Sequence, residues 1–129
     1  MKQQVQGTQP GGAYSPGIIA EGRFLYVSGQ GPVRDGETVL STIEEETRIT
    51  LGNVGKVLEA AGAGFSDVVR VGVFITDPDH FSAMNEVYRE FFPEPLPART
   101  TVVTGLVGGI KVEIDCVAVL GAATPASRP

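Results

Sequence analysis

This chain has very little with which to hold a metal or a crosslink: one cysteine, Cys116, and one histidine, His80. A lone cysteine makes no intrachain disulfide, and one Cys with one His cannot assemble a zinc site, so no metal is expected. Basic residues are also few. Ten Lys and Arg stand against fifteen Asp and Glu, for a net charge of −5, and the ten are scattered. No basic stripe is offered to a phosphate backbone, so nucleic acid is not an expected partner. No apolar run approaches the roughly 20 residues that a membrane-spanning helix needs, so no membrane is expected either. The polar segment 1–12 has no apolar signal-peptide core, which makes the cytoplasm the expected compartment. What is present is a globular composition, 42% apolar in 129 residues. That length suits a single domain, expected over residues 1–120, with a small, polar, Pro-containing tail, 121–129, expected to be disordered.

Two short apolar runs, 18–20 and 24–27, flank Glu21-Gly22-Arg23 and predict a tight β-hairpin. An Asp35-Gly36 turn follows between short extended pieces. Ser41 and Thr42 each have a Glu three residues on, Glu44 and Glu45, which is the capping-box spacing. A helix is predicted from there to about Ala61, with Ile43, Thr47, Leu51, Val54, Leu58 and Ala61 on one face and Gly62 and Gly64 as the stop. Residues 67–76 are rich in Val and Ile and predict a central strand. Asp77 and Pro78 then open a second helix with Phe81, Met84, Tyr88 and Phe91 on one face, ending before Pro93. Two last strands, 99–104 and 111–119, are joined through Gly105, Gly108 and Gly109. The order predicts an α+β domain: a mixed sheet with both helices on one face. Alternation puts Val112, Ile114, Cys116 and Ala118 toward the helices and Glu113, Asp115, Val117 and Val119 on the other side. Acids mixed with valines suit neither clean solvent nor clean core, and oligomerisation through the sheet would explain them.

The most informative stretch is Pro97-Ala98-Arg99-Thr100-Thr101, with Glu113 fourteen residues after the arginine. It reads as one guanidinium and one carboxylate on neighbouring strands. A planar guanidinium suits a small carboxylate ligand, and a nearby Glu suits water activation. The competing reading is a cross-strand ion pair with no chemistry.

Further pieces, in order, carry a resemblance: Tyr14-Ser15, Val27-Ser28-Gly29-Gln30 with Pro32-Val33, the segment 53–62, Val73-Phe74, Met84-Asn85-Glu86-Val87-Tyr88 through Phe91-Phe92, Pro97-Ala98-Arg99 and Val112-Glu113-Ile114. Together they make the chain, over about residues 14–120, similar to the Rid family (reactive intermediate deaminases, also called the YjgF or L-PSP family). The resemblance implies a chorismate-mutase-like fold and a homotrimer with sheets around the threefold axis and sites in the clefts between subunits. It also implies hydrolysis of reactive enamines and imines, such as 2-iminopropanoate and 2-iminobutanoate, to 2-keto acids and ammonia without metal or organic cofactor. In that frame Arg99 fixes the substrate carboxylate and Glu113 is the base that orients water. Tyr14 gives an aromatic wall with a hydroxyl, while Ser28, Gly29, Asn85 and Thr101 shape the pocket. His80 reads as a surface residue and Cys116 as a small buried hydrophobe.

Three features depart from the familiar pattern. Thr101 stands where the deaminase branch often has Cys, the link from Arg99 to Glu113 is one residue shorter, and Tyr14 lies in Gly12-Ala13-Tyr14-Ser15-Pro16, where the family often has Pro before the Tyr and Gln at the Pro16 position. They keep two alternatives open: a deaminase of a larger unsaturated amino acid of aminomuconate type, and a non-catalytic protein that binds small carboxylates. Ribonuclease activity, attributed to some members, is disfavoured by the acidic charge.

Overall fold

The computed structural model describes residues 1–122. Its strands are β1 (Lys2–Val5), β2 (Gly17–Ala20), β3 (Phe24–Gln30), β4 (Val33–Arg34), β5 (Glu37–Thr38), β6 (Val68–Ile75), β7 (Ala98–Val103) and β8 (Val112–Val119). The helices are α1 (Ile43–Ala60), between β5 and β6, and α2 (Phe81–Phe91), between β6 and β7. Four strands form one mixed sheet in the order β3-β8-β6-β7, antiparallel except for the β6–β7 pair. The α+β architecture with two helices on a mixed sheet is as the sequence predicts.

Helix α1 starts where Thr42 accepts a hydrogen bond from Glu45 N–H at 3.2 Å and stops where Gly62 takes φ +76°, the left-handed conformation that glycine tolerates. Ile43, Thr47, Leu51, Val54 and Leu58 are buried as predicted, whereas Ala61, at the C-cap, is exposed. Of these, Ile43, Leu51, Val54 and Leu58 pack with Met84 and Tyr88 of α2 on Val71, Val73 and Ile75 of β6 and on Val112, Ile114, Cys116 and Ala118 of β8. The helix-facing set on β8 is the predicted one. On the opposite face, Phe24 and Tyr26 stay 54% and 73% exposed, beside half-buried Phe74, Val117, Glu113 and Asp115.

Two expectations fail. The runs around Glu21-Gly22-Arg23 are strands but not a hairpin: β2 pairs with β1, and β3 pairs with β8. Gly22 sits at φ +138° against Val119 rather than in a two-residue turn, and β3 buries Val27 against Cys116 instead of Ile19. Strand β1, polar Lys-Gln-Gln-Val, has no apolar alternation by which to be noticed. The last two strands, moreover, are not neighbours, because β6 lies between β7 and β8. The α2 crossover returns β7 parallel to β6 on its outer side, which leaves the inner side to β8. At the C-terminal end Gly121 and Ala122 turn back on Val119, and the rest of the expected tail, 123–129, lies outside the described residues.

One buried carboxylate ties this frame together. Glu46, at 0% exposure, accepts from Ser41 N–H at 2.9 Å and from Lys111 N–H at 2.8 Å, and it pairs with Lys111 Nζ at 3.2 Å. It thereby joins the entry of α1 to the entry of β8. Removing it leaves two backbone donors without acceptors, so Glu46→Ala should cost about 3 kcal/mol in urea unfolding, and Glu46→Gln should recover part of that. An Ala variant within about 0.5 kcal/mol of wild type, the range of an ordinary surface change, would refute the tie.

Candidate functional site

Backbone tethers bring the Tyr14 loop over the start of β7. Ser15 N–H donates to Pro97 O at 3.1 Å, Ser15 Oγ bonds to Leu96 O, and Gln4 Nε2 of β1 donates to Ser15 Oγ at 3.0 Å. Tyr14 then turns back through its own N–H to Gly12 O, 3.0 Å, while Gly11 N–H donates to Tyr14 Oη, also 3.0 Å. That bond uses a lone pair of the phenol and leaves its proton free to donate.

Beneath the loop lies Arg99. Its Cζ is 4.8 Å from the ring centre of Tyr88, 5.8 Å from that of Phe81 and 5.9 Å from that of Tyr14. Arg99 Nε and Nη1 are buried with no hydrogen-bond partner, and neither Arg99 nor Glu113 takes part in an ion pair among the described residues. Burial pulls the Arg99 pKa down, opposed by the neighbouring Tyr88. A guanidinium in these surroundings still carries its charge. A cavity of about 290 Å³ opens beside it, lined by Tyr14, Phe81, Arg99, Thr100 and Thr101. With each water occupying about 30 Å³, that is room for a small organic acid and several waters. Thr101 Oγ1, Asn85 Oδ1 on α2 and His80 Nδ1 in the turn before it are also buried without partners among the described residues. Buried polar atoms ordinarily find a partner, and of these unpartnered groups Arg99 and Thr101 line the cavity, whereas Asn85 and His80 are not among its lining residues. His80 is half-buried at the start of α2 rather than a surface residue.

Glu113 stands elsewhere. Arg99 is opposite Val71 on β6 and shares the helix side of the sheet, whereas Glu113 is opposite Phe74 and shares the open side. Three residues along β6 and two strand spacings also separate them, about 10 Å in each direction. The reading of Arg99 and Glu113 on neighbouring strands is therefore corrected, and the cross-strand ion pair falls with it. Glu113 instead keeps company with Ser28 and Gly29, at a break in the β3–β8 register between Val27 and Gln30. A Cβ on Gly29 would stand 2.3 Å from Glu113 Oε2 and 3.0 Å from its Cδ, so only glycine leaves this carboxylate in place. The candidate residues thus divide in two: Tyr14, Asn85, Arg99 and Thr101 on the helix side, Ser28, Gly29 and Glu113 on the open side.

Phe81 and Tyr88 were legible only as core positions of α2. A second signal, a helix face carrying aromatic residues that meets an arginine-bearing strand, appears only once α2 is packed on β7. Among the described residues no cluster of three or more His, Cys, Asp or Glu could hold a metal ion, and no helix is long and apolar enough to cross a membrane. Cys116 is buried, and burial together with the charge of Asp115 pushes its thiol up to about 12. Burial likewise raises the Tyr88 phenol above its ordinary value, against the pull of Arg99.

Known proteins share this fold. The family model described as "Endoribonuclease L-PSP" matches residues 5–120. A mitochondrial protein of Schizosaccharomyces pombe, mmf2, is 46% identical over 112 residues, 84% of this chain and 88% of that protein. A goat protein named 2-iminobutanoate/2-iminopropanoate deaminase is 39% identical over 119 residues, 90% of this chain and 86% of its own. Among solved structures, E. coli TdcF with bound serine superposes with a TM-score of 0.71 at 34% identity, covering 90% of this chain and 92% of that one.

The two raised pKa values fix an alkaline limit. Both groups are neutral in the folded and unfolded chain below about pH 7.5, so their contribution is complete there. As pH rises, the unfolded chain ionises first, and stability falls until the Cys116 pKa of about 12 is passed. Unfolding free energies from urea titration should drop between about pH 8 and 11, by up to about 1.4 kcal/mol per pH unit from Cys116 and, above about pH 10, by as much again from Tyr88, and Cys116→Val should flatten the earlier part of the drop. Equal slopes in wild type and Cys116→Val would contradict the assignment.

Proposed function

Because the chain belongs to the Endoribonuclease L-PSP family, the Rid family of the sequence reading, we propose that it is a hydrolytic deaminase of 2-imino acids such as 2-iminopropanoate and 2-iminobutanoate. The observation that carries the reading is Arg99: a guanidinium half-buried among three aromatic rings, with no ion-paired acid among the described residues and a cavity in front. A buried cation without a counter-charge is costly, and a substrate carboxylate removes that cost on binding. The serine bound to the E. coli neighbour is a small carboxylate-bearing amino acid, the kind of ligand this cavity would take.

In the proposed reaction Arg99 holds the carboxylate and so fixes the adjacent C=N carbon. Water adds to that carbon while Glu113 accepts its proton and passes it to the imine nitrogen, which gives a carbinolamine. Collapse of the carbinolamine breaks the C–N bond, releasing ammonia and leaving the 2-keto acid. Tyr14, with its phenolic proton free, donates to the substrate or to the water, and Asn85, Thr101 and the Ser28-Gly29 segment shape the pocket. Because Arg99 and Glu113 of one chain face opposite sides of the sheet, the reaction requires Glu113 from a second copy. A homotrimer with sheets around the threefold axis supplies it and covers Phe24, Tyr26, Phe74 and Val117. The cytoplasm is the proposed compartment, set against a fission-yeast relative named mitochondrial.

The experiment generates 2-iminobutanoate with an amino-acid oxidase and follows it with a semicarbazide trap. Wild type should accelerate loss of the imine, and Arg99→Ala and Glu113→Gln should each lose about 100-fold or more. Gly29→Ala, by displacing the Glu113 carboxylate, should lower kcat about tenfold. Refolding the Arg99→Ala and Glu113→Gln chains together should restore about a quarter of the sites, since a shared cleft can draw its intact Arg and intact Glu from different chains. No recovery in the mixture would defeat the shared cleft alone. No acceleration by wild type, with 2-keto acid binding retained, would replace the deaminase with a carboxylate-binding protein or with an enzyme for a larger unsaturated amino acid.

A further inference from the structure

Among the described residues the Arg99 guanidinium is held by no hydrogen bond from Nε or Nη1 and by no carboxylate, yet a carboxylate clamp has to be oriented to discriminate. Among its neighbours Tyr88 lies nearest, with its ring centre 4.8 Å from Cζ. Tyr88 is itself fully buried, and its ring stacks with Phe92 at 4.3 Å and 23°. Phe92 in turn meets the edge of Phe65 at 5.0 Å and 83°. This aromatic series runs from the residue that follows α1 and its turn, through the end of α2, to the underside of the arginine. Among the described residues Tyr88 Oη makes no hydrogen bond of ordinary geometry, and the charged group acting most strongly on it is the Arg99 guanidinium itself, so ring and hydroxyl both face the clamp.

We infer that Tyr88 is a positioning residue for the carboxylate clamp: its ring, fixed by Phe92, is the platform that sets the plane of the Arg99 guanidinium. The inference deepens the carboxylate-clamp reading above and rests on it. A cation over an aromatic face is attracted by the ring quadrupole, and the attraction grows when both are removed from water, as they are here. The platform fixes the guanidinium without neutralising it. An ion pair would orient the arginine equally well but would spend the charge that the ligand needs. Two further rings, Phe81 and Tyr14, exclude water around the same group, yet Tyr14 belongs to a loop and Phe81 to the first turn of α2. Tyr88, deep in α2, is the rigid member.

The test compares the binding of 2-oxobutanoate with that of its uncharged amide, 2-oxobutanamide, by titration calorimetry. The proteins are wild type, Tyr88→Leu, Tyr88→Phe and Val54→Ala, the last a core truncation on α1 that serves as the stability control. Tyr88→Leu should bind the acid roughly ten- to thirtyfold more weakly, the loss of a desolvated cation–π contact, and the amide about as well as wild type does. Tyr88→Phe keeps the ring and should stay within about threefold of wild type for both ligands. Val54→Ala should lose stability without losing selectivity for the acid. Acid binding by Tyr88→Leu within threefold of wild type, or an equal loss in Val54→Ala, would overturn the platform while leaving the deaminase standing. Wild type that does not bind the acid would bring down the clamp and the platform together. If Tyr88→Leu does not fold, the Arg99 Hε resonance decides. It should be shifted upfield by the ring in wild type and in Tyr88→Phe alike, and a resonance at the position of free arginine would overturn the platform.

Discussion

Along β6, Val71, Val73 and Ile75 face the helices while Gly72 and Phe74 face the open side, and both neighbouring strands inherit that alternation residue by residue. On β7 it turns Arg99 and Thr101 toward α2. On β8 it sends Val112, Ile114 and Cys116 into the core and leaves Glu113 and Asp115 outside. A shift of one residue in either register would exchange these sets, placing an arginine on the open side and carboxylates among valines. The hydrophobic face of β6 therefore fixes the positions of the polar groups as firmly as it fixes the core.

The helix side solves a particular electrostatic problem. Arg99 is shielded by rings rather than by acids, so its charge is retained but poorly solvated. The tethers around it come from distant parts of the chain: Gln4 on β1, Ser15 in the loop and Leu96-Pro97 before β7. Each is a backbone or hydroxyl contact that adds no counter-charge. The pocket is thus held in place by neutral hydrogen bonds and aromatic packing, which leaves a net positive hollow for an anion in an otherwise acidic molecule.

On the open side, acids and exposed aromatic residues share one surface, where Asp115 sits over Gly72 and Glu113 over Gly29. The two glycines make room for carboxylates on a sheet that would otherwise crowd them. In the proposed assembly this surface does two things at once: its apolar part meets other copies, and Glu113 enters a neighbour's Arg99 pocket. Exposed Phe24 and Tyr26 and the missing base of the helix-side pocket then have one explanation.

Local signals determined a good deal here. Thr42 and Gly62 bound α1, and period-two alternation sorts β8 correctly, because caps and side-chain alternation depend on neighbours a few residues away; Asp77 and Pro78, expected to open the second helix, instead open a single 3-10 turn, Pro78–His80, and α2 itself begins at Phe81. Arg99, Glu113, Tyr14, Ser28, Gly29, Asn85 and Thr101 could be singled out from residue type and family resemblance. Their grouping could not. Whether Arg99 and Glu113 share a face depends on β6 lying between β7 and β8, and strand order is set by long-range burial that no local spacing records. The same holds for β1, too polar to be noticed until β2 pairs with it, and for Tyr88, an ordinary core residue by helical period until α2 lays its ring against the guanidinium. Sequence by itself determined the elements and the chemical groups. Tertiary structure alone decided which groups meet, because side-chain direction follows from register, and register follows from packing across the whole sheet.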